Sequence, residues 1–170
     1  MRRFFALVVA TWFGSGLIPP IILKGMAGTY GSLAALPICY LALLWLGATG
    51  YIILTLAVFL VGVWSIPIAE IALGPRKDWR GHAKDHDQNE IVIDEVIGML
   101  ITCMPLLWIR HDSWVAYPVA FGLFRLFDIT KPQPIGFFDR MQSATGVMLD
   151  DVVAGVYAAV ALVAIIVLVG

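Results

Sequence analysis

The chain has 170 residues, 61% of them hydrophobic and only 14% charged, against about 25% charged in an ordinary soluble domain. A mean hydropathy of +0.90 excludes a water-soluble globule and a disordered tail. A net charge of −1 offers no global field for capturing nucleic acid. The composition is that of a single membrane-embedded domain over residues 1–170, all-α, because lipid admits only helices or closed barrels and the apolar runs are helix-long.

Taken in chain order, the first apolar run, Phe4–Leu23, is broken by Gly14-Ser15-Gly16 and by Pro19-Pro20. Those residues disfavour a straight spanning helix. Arg2-Arg3 followed by an apolar stretch is also a signal-peptide pattern. The favoured reading is an irregular interfacial or re-entrant segment that stays attached, its glycines and prolines buried against protein. Five stretches then approach the roughly 20 apolar residues a crossing helix needs: Gly31–Leu46, Tyr51–Leu73, Ile91–Ile109, Trp114–Phe127 and Met148–Val169. The first two are joined by an expected turn at Gly47-Ala48-Thr49-Gly50, and Lys131-Pro132-Gln133-Pro134 stops the fourth.

Positive charge sets the orientation. With Gly31–Leu46 running outward from the cytoplasm, Arg110 alone of the 11 Lys and Arg residues falls on the outer side. The expected topology is therefore N-terminus inside, about five transmembrane helices, C-terminus outside. It brings the start of the first span (Gly28-Thr29-Tyr30-Gly31-Ser32), Asp94-Glu95, Arg125 with Asp128, and Asp150-Asp151 to one membrane face.

An Asp at a helix centre costs roughly 2.5–3.5 kcal/mol on insertion scales, less near the interface. Asp94, Glu95, Asp128, Asp150 and Asp151 would repel one another, and only Arg125 and Lys131 stand near to compensate. One or two divalent cations would neutralise the surplus. A donor set of oxygens, without Cys or a required His, suits Mg²⁺ better than zinc. Asp94 and Gly98, like Asp151 and Gly155, are i,i+4 neighbours, so each acid shares a face with a glycine that permits close helix approach.

Plainer readings exist for each cluster. The paired acids could be ordinary helix N-terminal residues favoured by the macrodipole, Arg125 and Asp128 a structural ion pair, and Gly28–Ser32 a simple cap. That last block could equally cradle a phosphate at a helix N-terminus. His82 and His86 are i,i+4, but in a charged loop, Arg76–Glu90, that reads as solvated; Glu70 is a further possible ligand. Cys39 and Cys103 lie in apolar runs and read as hydrophobes. No nucleophile elbow, phosphatase-type cysteine loop or Walker loop is present. Clustered acids with Arg and Lys beside them suit attack on a phosphoryl group.

Five blocks resemble the bacterial phosphatidylglycerophosphatase A family over nearly the whole chain. They are Gly14-Ser15-Gly16-Leu17, Gly28-Thr29-Tyr30-Gly31-Ser32-Leu33, Ile91-Val92-Ile93-Asp94-Glu95-Val96-Ile97-Gly98, the stretch from Phe124 to Pro134, and Gly146–Gly155. Pro19–Ala27 and Ser143-Ala144 depart from the pattern, and no acidic position is lost. The resemblance implies a multipass inner-membrane, Mg²⁺-dependent phosphatase that converts phosphatidylglycerophosphate to phosphatidylglycerol and phosphate at the cytoplasmic face. By the same analogy Asp94, Glu95, Asp128, Asp150 and Asp151 are metal or catalytic residues. Arg125, Lys131, Thr29 and Ser32 are phosphate contacts, and Asp87 and Glu90 fit the acidic lead-in. Two other classes stay open from the residues alone: an ion-coupled carrier using intramembrane acids, and a non-enzymatic lipid-binding subunit.

Overall fold

The computed structural model describes residues 1–17, 26–77, 83–84, 88–109, 114–141 and 143–169. Lys24, Arg80, His82, His86, Asp87 and Arg110 lie outside the described residues, and with them the histidine pair and the first acid of the lead-in. The described chain is helical apart from an antiparallel pairing of two-residue strands, β1 (Arg76–Lys77) and β2 (Ala83–Lys84), inside the expected charged loop.

The N-terminal run is interrupted as its glycines predict. Helix α1 (Arg2–Ala10) is nine residues long, about 14 Å, far short of a bilayer. It ends where Trp12, Phe13 and Gly14 all take positive φ, and a 3₁₀ turn follows at Ser15–Leu17. The Val92 amide donates to the Ala10 carbonyl at 2.9 Å, which ties this segment to the residues leading into the acidic helix.

Helices α2 (Ala27–Trp45) and α3 (Gly47–Leu73) form the next hairpin. The turn expected over Gly47–Gly50 is instead the first turn of α3. The reversal is completed at Leu46 and Gly47, whose φ of 60° needs no Cβ to be accommodated. Helix α4 (Ile93–Cys103) continues as a 3₁₀ turn, Met104–Leu107; then come α5 (Ala116–Thr130), α6 (Ile135–Asp139) and α7 (Ala144–Val169).

Length separates these helices into two kinds. Three of them, Ala27–Trp45, Gly47–Leu73 and Ala144–Leu168, are long and apolar enough to cross a membrane. The expected third and fourth spans are realised as α4, of 11 residues, and α5, of 15. At 1.5 Å per residue these extend about 16 and 22 Å, less than the roughly 30 Å hydrocarbon core. Helix α4 is a core helix, buried on every side against α2, α3, α5 and α7. Tyr51 of α3 donates to the Leu100 carbonyl at 2.8 Å, and Cys39 and Cys103 are both buried in this core.

A close helix–helix approach joins α4 to α7. A Cβ on Gly155 would stand 2.6 Å from the Gly98 carbonyl oxygen, and one on Gly98 would overlap the Phe124 ring. Thr102 donates to the Gly98 carbonyl at 2.8 Å in the same seam. Burying that hydroxyl without a partner would cost roughly 1–3 kcal/mol. The bond within α4 removes that cost, and the same hydroxyl lies 3.4 Å from the Gly155 carbonyl of α7.

Candidate active site

The α4–α7 crossing sets the positions of the acids. Asp94 and Glu95 occupy the first turn of α4, and Asp151 precedes Gly155 by one turn on α7. One carboxylate oxygen from each of Asp94, Glu95 and Asp151 lies within 4.8 Å of the other two. Asp94 and Asp151 are buried, 7% and 3% exposed. Glu95 Oε2 is buried with no hydrogen-bond partner among the described residues. Three anionic groups this close in low dielectric repel strongly unless a cation or proton joins them.

The N-terminus of α2 closes one side. A Cβ on Gly28 would overlap Glu95 Oε1 and come within 3.0 Å of Arg125 Nη1, so only glycine lets this turn lie against both side chains. Thr29, half-buried, stands on the same first turn. Ser32 is fully buried and its hydroxyl donates back to the Gly28 carbonyl at 2.8 Å. It braces the turn that faces the acids.

Helix α5 contributes the other wall. Arg125 Nη1 lies 2.6 Å from Asp128 Oδ2, and Arg125 Nε is buried without a partner among the described residues. The Asp128 carboxylate is within electrostatic reach of both Glu95 and Asp151. Lys131 caps α5 in a left-handed conformation, φ 43° and ψ 53°. Its ammonium lies 2.8 Å from Asp150 Oδ2 and also pairs with Asp139 of α6. Partial burial works against this charge, but Asp150 and Asp139 reverse the effect and hold the lysine well above its ordinary range. Asp150 Oδ1 accepts the Asp151 amide at 2.9 Å.

All nine residues expected at the site therefore lie at one end of the bundle, and the acids fall into three groups. Asp94, Glu95 and Asp151 pool; Asp128 pairs with Arg125; Asp150 pairs with Lys131. Asp139 was not anticipated. Its only trace in the sequence is an acid eight residues after Lys131, and the turn that joins them needs α6 to fold back. Glu70, at the end of α3, and Glu90, in the turn before α4, stand outside the three-acid group.

The profile of the phosphatidylglycerophosphatase A family matches residues 8–166, from α1 through most of α7. The chain belongs to this family. A phosphatidylglycerophosphatase A of Haemophilus influenzae is 37% identical over 159 residues, covering 93% of this chain and 86% of that protein. One from Escherichia coli is 37% identical over 153 residues, covering 89% and 78%. A Bacteroides thetaiotaomicron relative, provisionally named a phosphatidylinositol-3-phosphatase, is 34% identical over 166 residues, 92% of each chain. No solved structure matches. Family membership makes the chain a phosphatase acting on a phosphate monoester and gives the ion-coupled carrier no support. Every residue of the three groups falls inside the matched region.

Proposed function

We propose that this phosphatase hydrolyses the terminal phosphate of phosphatidylglycerophosphate in a Mg²⁺-dependent reaction at the cytoplasmic face of a bacterial inner membrane. The observation that carries the reading is the pooling of Asp94, Glu95 and Asp151 within 4.8 Å beside Arg125 in a chain of this family. The donor set is wholly carboxylate oxygen, and Glu95 Oε2 is a buried acceptor left open, which fits a hard dication. Asp94, Glu95 and Asp151 would hold it, with Asp128 and Asp150 adding negative charge nearby. Bound there, Mg²⁺ would offset the clustered carboxylates and draw charge from the phosphate oxygens.

The chain's own groups supply the remainder. Arg125, fixed by Asp128, offers its open Nε to a phosphate oxygen. Because α2 lies against Arg125 at Gly28, its first-turn amides and the Thr29 hydroxyl would add donors. Lys131 provides a second positive charge. Water adds to phosphorus in line with the ester oxygen, and a pooled carboxylate accepts the proton that water loses. The P–O bond to glycerol breaks as the departing oxygen takes up a proton from solvent, giving the alcohol and free phosphate. The membrane arrangement belongs to the same proposal: α2, α3 and α7 cross fully, while α4 with its 3₁₀ extension and α5 complete five passes. Their short lengths set the site at headgroup depth, so acyl chains stay in the bilayer.

The test is phosphate release from phosphatidylglycerophosphate by the purified chain in detergent, with phosphatidylinositol 3-phosphate as comparator. Release should stop on chelation with EDTA and return with added Mg²⁺. Release that ignores chelation, or phosphatidylglycerophosphate left intact while the comparator is cleaved, would overturn the proposal.

A further inference from the structure

Lys131 is expected to meet the substrate phosphate, yet its ammonium already has two carboxylate partners. The two differ in kind. Asp150 is 9% exposed and anchored, since its second oxygen accepts the Asp151 amide. Asp139 is 44% exposed and closes the five-residue helix α6 at the protein surface. Lys131 itself is 30% exposed and holds the left-handed cap position where glycine fits most easily. A lysine kept in that backbone conformation points to a need for the side chain. Its three N–H donors are not all spent on two carboxylates, but an arriving phosphate dianion would face both of them at once.

We propose that Asp139 is a placeholder for the substrate phosphate on Lys131. With the site empty, Asp139 keeps the ammonium at the mouth of the pocket and balances its charge. When a phosphomonoester or inorganic phosphate arrives, Asp139 releases into water, which its exposure makes inexpensive, and the phosphate takes its place while Asp150 keeps the lysine aimed. Asp139 thus acts on the substrate only through Lys131, as a competitor for its ammonium. The inference rests on the reading of Lys131 as a phosphate contact.

The test measures binding of inorganic phosphate to the full chain in detergent with Mg²⁺ present, followed by ³¹P line broadening. Asp139→Asn should tighten phosphate about two- to fivefold, the range an ion pair at this exposure is worth, and lower KM for the lipid by a similar factor. Asp139→Glu should behave as the parent, and Asp139→Ser serves the same test if the Asn variant is unstable. Lys131→Met should weaken phosphate and erase the effect of Asp139→Asn in the double variant. Unchanged or weaker phosphate binding in Asp139→Asn overturns the proposal, as does a gain that persists undiminished without Lys131. Phosphate binding needs no turnover, so a chain that binds phosphate but leaves phosphatidylglycerophosphate intact sinks the functional reading and still decides this one.

Discussion

Asp94 and Asp151 come from positions 57 residues apart in the sequence and meet in a buried pocket, so each is expected to be indispensable. Asp94→Asn or Asp151→Asn should lower phosphate release at least about a thousandfold, the loss of roughly 4 kcal/mol of transition-state stabilisation. Circular dichroism should show both variants still folded in detergent; near-parent turnover in either would contradict the pooled site. Thr29 and Ser32 should separate. The Ser32 hydroxyl is spent on the Gly28 carbonyl, so Thr29→Val should raise KM more than Ser32→Ala does. Lys131 has a raised pKa from Asp150 and Asp139, so its pairing contributes stability below the ordinary lysine range and loses it only as pH climbs past the raised value. From about pH 6 to 9 the difference in Tm between the parent and Lys131→Met should therefore stay constant. The acids were legible in the sequence because charge is rare in an apolar chain and each one stands out. The pairing of Lys131 with Asp139 was not, because it depends on how α6 folds back.

At the scale of elements, the glycine spacing carried real information. Gly98 and Gly155 were expected to admit close helices, and they meet each other in the α4–α7 seam. Gly155→Leu should destabilise the protein by about 1–3 kcal/mol and lower its Tm, since the added side chain runs into the Gly98 backbone. It should also cost activity by displacing Asp151. Gly28→Val should cost activity with little loss of Tm, because its clash is with the side-chain ends of Glu95 and Arg125 in the site and not with backbone. Helix lengths were less legible. Hydropathy alone reads Ile91–Ile109 as one span, but Met104-Pro105 tightens its end into a 3₁₀ turn and shortens α4. The Gly47–Gly50 stretch looked like a turn because two glycines usually mark one; the chain instead reverses at Leu46 and Gly47, and the helix runs on through Gly50.

For the whole molecule, opposite-running helices deliver their polar ends to a single pole: the starts of α2, α4 and α7 and the end of α5. If that pole faces the cytoplasm, a reporter fused after α7 should be active only in its extracytoplasmic form. Reporter activity on the cytoplasmic side would reverse the proposed topology and leave the site chemistry standing. The most direct measurement of the central claim uses Mn²⁺ as a paramagnetic substitute for Mg²⁺. Electron paramagnetic resonance titration of the purified chain should show Mn²⁺ bound by the parent, affinity reduced at least about tenfold in Asp94→Asn and in Asp151→Asn, and affinity unchanged in Asp139→Asn. Equal Mn²⁺ affinity in the parent and both acid variants would contradict the account.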